Sequence, residues 1–343
     1  MSALLLALDS VGIDPAGHQR PESVFAESRF LFPRDRGGAV LEVQAAGRSG
    51  ILVPTEVVGA DSRGAIECAI TYTSIFSGQS AAEQHGLMRG LGLKEKLLKD
   101  LIAQDNLFRH FQKPCLANAI FPAHLPFFGG SFVEDLVPRF ERQVVEESLR
   151  YRGQPVRFKG PAKNGFAELF TLAEINQNIF VHAAREAGMR LRTWEDVRGG
   201  SALSNTMTNE LEGDFNVNVF GQAPLPRLTP QIAGEMLAGI TRGHDFTFYK
   251  YQIPDLVSHT GRLELARHVF AVIERFVETL LGLLPVETVL IITSDHGHLE
   301  QLASSHAHPK TAVPTWYFGP NAERAAQRMR RPEGVFHVLT EPL

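Results

Sequence analysis

Two short segments of the chain are almost entirely apolar and are followed within two residues by an aspartate. The first contains no polar residue, and the second has one threonine at each end. ALLLAL (residues 3–8) precedes Asp9, and TVLIIT (residues 288–293) lies just before Asp295. A continuous apolar run of this length is typical of a central parallel strand that is covered on both faces. The two segments therefore predict a largely parallel sheet that is buried between layers of helices.

Other segments repeat the same alternation of strands and helices. Cys68 opens a unit that continues through a helical pattern at Leu93–Phe111 to an apolar strand at Cys115–Ile120, in the order strand, loop, helix, strand. After residue 230 the pattern predicts the helices Pro230–Gly243 and Leu263–Leu284 and the strands Asp245–Tyr251, Thr288–Thr293, Val313–Phe318 and Val335–Leu339. The fold class expected from these elements is α/β.

The middle of the chain has a different character. It is rich in Phe, Pro and Gly, and its helical patterns, Phe132–Tyr151 and Leu172–Ala187, are separated by loops. We therefore predict that residues 1–120 and 230–343 form an α/β core and that residues 121–229 form an inserted cap.

Composition excludes several classes of protein. The 343 residues carry a net charge of −4, which offers no electrostatic footprint for a nucleic-acid backbone or an anionic membrane surface. Two cysteines exclude a disulfide scaffold. The N-terminal apolar run is too short for a signal peptide or a membrane span. We expect a cytoplasmic globular protein whose oligomeric state the sequence leaves open.

Metal-ligand side chains recur just after the predicted strands. In chain order they are Asp9, Asp255, His259, Asp295, His296 and His308. Strand ends of an open parallel sheet converge at one edge, where such sheets bind ligands. Asp255 and His259 are four residues apart, so one helical turn places both on the same side. A single aspartate at a strand end is usually a turn or capping residue, but the ordered set predicts a metal site.

The segments that carry these residues resemble a known family. LLLALDSVGI, PDLVSHTG, TSDHG and HPKTAVP, in this order, are similar to the metal-binding segments of the alkaline phosphatase superfamily. Within it the chain most resembles the branch of cofactor-independent phosphoglycerate mutase and phosphopentomutase, and there the small "metalloenzyme domain" proteins. The resemblance implies a three-layer α/β sandwich with an inserted cap.

The resemblance also implies two metal ions. One would be bound by Asp255, His259 and His308, and the other by Asp9, Asp295 and His296. Two divalent ions about 3.5–4 Å apart can hold both the attacking and the leaving oxygen of a phosphoryl displacement. Mixed histidine and carboxylate ligands suit Zn²⁺ or Mn²⁺ better than Mg²⁺ or Ca²⁺. A small-molecule phosphate ester is the implied substrate, and no organic cofactor is implied.

The chain departs from the family at the nucleophile. The superfamily places a Ser or Thr ten residues before the Gly of a segment like Phe76-Ser77-Gly78, and here that position is Cys68. Ile70 and Tyr72 replace the Pro and Arg that sulfatases need to convert this cysteine to formylglycine. The alternatives left open are a thiolate nucleophile or metal ligand at Cys68, a hydroxyl nucleophile at Thr71 or Thr73, a metal-bound water, and Cys68 as a small core residue.

The function expected from these residues is a metal-dependent hydrolase of phosphomonoesters or phosphodiesters. A phosphomutase or phosphotransferase is the first alternative, because LDSVGI resembles phosphopentomutase. A catalytically inactive protein that binds a metal and a ligand is the second, because Cys68 replaces the usual nucleophile.

Overall fold

The computed structural model describes residues 2–14, 16–33, 40–57, 68–86, 91–119, 150–151, 154–155, 179–209, 225–258, 261–302 and 311–342. The strands in chain order are β1 (Ala3–Leu8), β2 (Leu41–Ala45), β3 (Arg48–Thr55), β4 (Pro114–Leu116), β5 (Arg150–Tyr151), β6 (Gln154–Pro155), β7 (Phe246–Tyr251), β8 (Val289–Ser294) and β9 (Val313–Phe318). The α-helices are α1 (Cys68–Ser77), α2 (Ala81–Gly86), α3 (Leu91–Gln104), α4 (Ile179–Glu186), α5 (Trp194–Arg198), α6 (Pro230–Arg242), α7 (Ile253–Ser258), α8 (Leu263–Leu283), α9 (Ala322–Arg328) and α10 (Glu333–Thr340).

Seven of the described strands form one sheet in the order β2-β3-β9-β8-β1-β7-β4. The strands β8, β1, β7 and β4 run parallel to one another, whereas β9, β3 and β2 are added antiparallel at one edge. The strands β5 and β6 form a separate hairpin. The predicted α/β fold with a largely parallel central sheet is therefore confirmed.

The sheet separates two apolar cores. Along β1, Leu4, Leu6 and Leu8 point into one core, and Ala3, Leu5 and Ala7 point into the other, because successive side chains of a strand lie on opposite faces. The first core is closed by α6 and α8, and the second by α1, α3, α4 and α10. Burial on both faces explains why the sequence of β1 is continuously apolar.

Several predicted elements match the structure closely. β1 and β9 have the predicted bounds, and α6, β7, α8 and β8 agree with the predicted bounds within about one residue at each end. β4 is shorter than predicted, since it ends at Leu116. The single predicted helix Leu93–Phe111 is divided into α3 and a 3₁₀ turn, Leu107–His110.

Two predicted strands are wrong, because both segments are helical. The segment that begins at Cys68 is α1, and its hydroxyl side chains are satisfied within the helix: Thr73 donates to the carbonyl of Ala69, and Ser77 donates to that of Thr73. The segment Val335–Leu339 lies in α10. A short, mainly apolar segment fits a buried helix as well as a strand, so periodicity alone could not separate them.

The sequence pattern does not predict the hairpin of β2 and β3. Its turn is Ala46-Gly47, and both residues have positive φ angles of 49° and 74°. A two-residue hairpin turn requires positive φ angles at both positions, but Ala is not one of the residues that usually occupy such a turn. The turn signal in the sequence was therefore weak.

The cap at residues 121–229 stays a prediction. Residues 120–149, 152–153, 156–178 and 210–224 lie outside the described part of the chain, and so does most of the helical pattern Phe132–Tyr151. The described stretch 179–209 packs on the sheet: Phe180 of α4 and Trp194 of α5 are buried in the two cores. Leu203 donates its backbone N–H to the carbonyl of Ala117 at 2.9 Å. Among the described helices, none is long and apolar enough to span a membrane.

Candidate metal centre

The predicted ligands lie where three parallel strands end side by side. Leu8, the last residue of β1, is paired with Tyr251 of β7 and with Ser294 of β8. The next residue after β1 is Asp9, and the next after β8 is Asp295. In-register strand ends therefore bring distant parts of the chain to one edge of the sheet, as predicted.

Four side chains converge at this edge. Ligand atoms of Asp9, Cys68, Asp295 and His296 all lie within 4.8 Å of one another. The Nε2 atom of His296 is 3.1 Å from the Sγ atom of Cys68, 3.6 Å from Asp9 Oδ1 and 3.7 Å from Asp295 Oδ2. One nitrogen, one sulfur and two carboxylates form a donor set that suits a divalent transition metal such as Zn²⁺.

The two carboxylates each have a buried oxygen without a hydrogen bond. Within the described part of the chain, Asp9 Oδ1 and Asp295 Oδ2 have no hydrogen-bond partner. Burial and the charge of Asp295 raise the pKa of Asp9 well above its usual range. Burial also acts to raise the pKa of Asp295. The charges of His296 and Lys250 outweigh this effect, so the pKa of Asp295 is lowered. Burying two acceptor oxygens close to one another is energetically unfavourable unless a cation lies between them. The site therefore fits a metal ion.

The hydrogen bonds of His296 leave its Nε2 atom suited to a metal. The Nδ1 atom lies 3.2 Å from the carbonyl oxygen of Gly297 and 3.2 Å from Ser10 Oγ. Because the carbonyl can only accept, it favours the tautomer with the proton on Nδ1. The lone pair of the neutral ring is then on Nε2, which faces the acidic cluster.

We expect metal binding at this cluster to release protons. Burial opposes protonation of His296, but the carboxylates of Asp295 and Asp9 outweigh it and raise the pKa. The pKa of Asp9 is raised as well. Metal ligands must be deprotonated, so affinity should rise with pH and fall as the pH drops through these raised pKa values. Calorimetric titration with Zn²⁺ in buffers of different ionisation enthalpy measures the released protons. An affinity independent of pH, with no net proton release, would place the ion elsewhere.

Cys68 is the first residue of α1 and is partly exposed. At the start of a helix, backbone N–H groups favour a thiolate. Thr71 and Thr73, the alternative nucleophiles, are both buried on the same helix. The hydroxyl of Thr73 donates to the carbonyl of Ala69 at 2.7 Å, whereas Thr71 Oγ1 has no hydrogen-bond partner among the described residues. The roles of all three stay predictions.

The other predicted metal site is described only in part. Asp255 lies on α7 and is buried, and its carboxylate accepts a hydrogen bond from Ser10 Oγ. His259 and His308 lie outside the described residues. Ser10 Oγ also lies 3.2 Å from Nδ1 of His296, so one hydroxyl joins the two sets of predicted ligands. Ser10 has a left-handed φ of 65°, which costs energy for a residue with a side chain.

Sequence reasoning missed Lys250. Its ammonium lies 2.8 Å from Asp9 Oδ2 and 4.9 Å from the centre of the Tyr72 ring. Burial opposes the charge, but Asp9 and the neighbouring acids outweigh it and raise the pKa of Lys250 well above its usual range. The available signal was a lysine near the end of a strand, FTFYKY, that otherwise contains only aromatic residues and threonine.

A mostly parallel α/β sheet with a cluster of metal-ligand side chains at its carboxyl edge defines a class of metal-dependent proteins. The family model described as "Metalloenzyme superfamily" matches residues 228–340 of this chain. That segment contains Asp255, Asp295 and His296. The resemblance to small metalloenzyme-domain proteins that the sequence predicts is confirmed over this segment.

The curated relatives that match part of this chain are named as phosphoglycerate mutases. The chain is 31% identical over 101 residues to the 2,3-bisphosphoglycerate-independent phosphoglycerate mutase of Cyanothece sp. (strain PCC 7425), over 29% of this chain and 19% of that protein. It is 30% identical over 96 residues to the enzyme of the same name from Dinoroseobacter shibae, over 26% and 19%. The matches thus span about a fifth of the length of these relatives.

Two solved structures are similar over nearly their whole length, at low identity. The PH0037 protein from Pyrococcus horikoshii is 12% identical with a TM-score of 0.43, over 100% of this chain and 98% of that one. The alkaline phosphatase from the Antarctic bacterium TAB5 is 12% identical with a TM-score of 0.38, over 99% and 98%.

Proposed function

We propose that this protein is a metal-dependent hydrolase of phosphate esters with two divalent ions, Zn²⁺ or Mn²⁺. The observation that carries the proposal is the convergence of Asp9, Cys68, Asp295 and His296 within 4.8 Å at the carboxyl edge of the sheet. Asp255, His259 and His308 are proposed to bind the second ion. The relatives whose names include a phosphoglycerate mutase support chemistry on phosphate esters.

Bound divalent ions would supply Lewis-acid stabilisation of phosphoryl oxygens and would favour a deprotonated nucleophile. The chain's own residues prepare the site. Lys250 holds Asp9 Oδ2 at 2.8 Å, which leaves Oδ1 directed at the cluster. His296 Nε2, 3.1 Å from Cys68 Sγ, is placed to accept the thiol proton in the metal-free protein. Substrate choice is assigned to the predicted cap at 121–229.

Cys68 is proposed as a ligand of the first ion rather than as a core residue. Its sulfur lies among the carboxylates and His296, where Cys68 would bind a divalent ion as a thiolate. A thiolate is a soft ligand that holds Zn²⁺ more tightly than an alkoxide does. In this arrangement an activated water is the attacking group, and Thr71 and Thr73 are the alternatives.

A phosphomutase is the second candidate function, because the named relatives are mutases. A hydrolase and a mutase are distinguished by incubating metal-loaded protein with aryl phosphates, alkyl phosphomonoesters and phosphodiesters and measuring free phosphate. Release of phosphate that depends on added Zn²⁺ or Mn²⁺ supports the hydrolase. Migration of phosphate within a sugar phosphate or phosphoglycerate, without release, supports the mutase. Metal uptake with neither activity would leave a metal- and ligand-binding protein.

A further inference from the structure

One buried carboxylate connects the loops that carry the predicted ligands. Glu300 lies in the 3₁₀ turn Leu299–Gln301, shortly after β8. Its Oε2 atom accepts hydrogen bonds from the backbone N–H groups of Gly12 and His298, both at 2.9 Å. Its Oε1 atom accepts a hydrogen bond from Thr311 Oγ1 at 2.6 Å. A single side chain thus binds three separate segments of the chain.

Two of these segments also contain predicted metal ligands. Gly12 is three residues after Asp9, and His298 is two residues after His296. Glu300 touches none of these ligands with its carboxylate in the contacts above, so it acts on them through the backbone of their loops.

The glycines of two sequence motifs make room for this carboxylate. A Cβ atom built on Gly12 or on Gly297 would overlap the Glu300 carboxylate, and one on Gly297 would also overlap Thr311 Oγ1. Neither glycine has a positive φ, so close approach to Glu300, rather than backbone conformation, accounts for the missing side chain. The glycines of LDSVG and SDHG therefore lie directly against the Glu300 carboxylate.

The loops have other connections, which should keep the fold intact without Glu300. Ser294 Oγ accepts a hydrogen bond from the backbone N–H of Val11 at 2.9 Å and donates to the carbonyl of His296 at 2.8 Å. Leu299 donates its N–H to the carbonyl of Ser10 at 2.9 Å. Loss of the Glu300 contacts should therefore loosen the relative placement of the loops without unfolding the sheet.

We infer that Glu300 is a positioning residue that fixes the ligand loops after β1 and β8 in the geometry that binds metal. The inference rests on the proposed function for the identity of the ligands. Ligand groups held in place before the ion arrives lose less conformational freedom on binding, so metal affinity should depend on Glu300. Outer-shell partners of metal ligands typically contribute about 10–100-fold in metal affinity.

The test uses Glu300→Gln in the full chain, because glutamine keeps the shape but replaces one acceptor oxygen by an NH₂ group. Glu274→Gln is a matched control. Glu274 is another buried carboxylate that accepts backbone hydrogen bonds, from Arg29 and Leu31, and no predicted ligand lies in that loop. Zn²⁺ affinity is measured in competition with a chromophoric chelator at a temperature where circular dichroism shows every variant folded.

We expect the Zn²⁺ dissociation constant of Glu300→Gln to rise by about 10–100-fold and that of Glu274→Gln to stay at the wild-type value. The rise in Tm that Zn²⁺ produces should shrink in Glu300→Gln only, because ligand stabilisation follows the dissociation constant. A merely structural role would lower the Tm of both variants and leave the Zn²⁺-induced rise unchanged. Equal affinities of wild type and Glu300→Gln would overturn the inference.

Thr311→Val provides a second variant that keeps the test decisive if Glu300→Gln does not fold. It removes one hydrogen bond to Glu300 at nearly constant volume, and we expect a smaller loss of Zn²⁺ affinity in the same direction. Unchanged affinity in a folded Thr311→Val, with Glu300→Gln unfolded, would count against the inference. The outcomes stay separable from the proposed function: Zn²⁺ binding that depends on Glu300, without hydrolysis of any phosphate ester, would overturn only the hydrolase.

Discussion

Asp295→Asn should abolish tight metal binding at the cluster of Asp9, Cys68, Asp295 and His296. We expect phosphoesterase activity to fall by at least about 100-fold, because changing a group that only supports a metal ligand already lowers activity by up to about 100-fold. Asp295 is fully buried, and its Oδ2 atom has no hydrogen-bond partner among the described residues. The substitution removes one of two negative charges that face the cluster. It also places an amide, which cannot bind a cation as a carboxylate does, 3.7 Å from His296 Nε2.

The measurement is metal content per chain after dialysis against Zn²⁺, together with turnover of an aryl phosphate. Asp14→Asn is the matched control. Asp14 is a buried carboxylate in the loop that follows Asp9, but it accepts a hydrogen bond from the N–H of Ala16 and pairs with Arg20 at 3.3 Å. We expect wild-type metal content in the control and one ion fewer in Asp295→Asn. Equal metal content in both would refute the assignment of Asp295.

Cys68→Ser should change metal affinity and turnover together. Cys68 Sγ lies in the cluster with Asp9, Asp295 and His296. Serine has nearly the same shape but offers a harder and more basic oxygen, so we expect Zn²⁺ affinity to fall by about 10–100-fold. The relative preference for Mn²⁺ over Zn²⁺ should rise, because manganese favours oxygen ligands. Competitive titration with both metals, followed by initial rates with each, measures these changes.

Cys115→Ser is the control for Cys68→Ser. Cys115 lies in β4 and is buried, and burial raises the pKa of its thiol to about 11. Serine at this position should cost some stability and leave metal affinity unchanged. If Cys68 were only a core residue, both variants would behave in this way.

Alkylation gives an independent measure of the role of Cys68. Iodoacetamide under mildly alkaline conditions should modify Cys68 in the metal-free protein and spare Cys115, whose raised pKa suppresses the thiolate. Zn²⁺ should protect Cys68, because a coordinated thiolate is a poorer nucleophile. Rapid modification of Cys68 in fully metal-loaded protein would contradict coordination and would shift the proposal to Thr71, Thr73 or water as the nucleophile.

Sequence reasoning predicted the strands β1, β4, β7, β8 and β9 of the central sheet, but not β2 and β3, and it predicted the order of most candidate ligands along the chain. Continuous apolar runs such as ALLLAL are typical of strands that are covered on both faces, and they predicted β1 and β8. The ends of these strands then place Asp9, Asp295 and His296 at one edge. The family resemblance implied Cys68, ten residues before Gly78, as the nucleophile position. The structure places its sulfur 3.1 Å from His296 Nε2, although the strand predicted at Cys68 is wrong.

Only the tertiary structure revealed the contacts that complete the site. Lys250 pairs with Asp9 across 241 positions of sequence, and Glu300 accepts from Gly12 across 288. Such contacts leave no periodic pattern, because they depend on which strands become neighbours in the sheet. The order β8-β1-β7 decides this, since it places the loops after all three strands side by side. Local sequence determines which residues end a strand, whereas the packing of strands determines which of those ends meet.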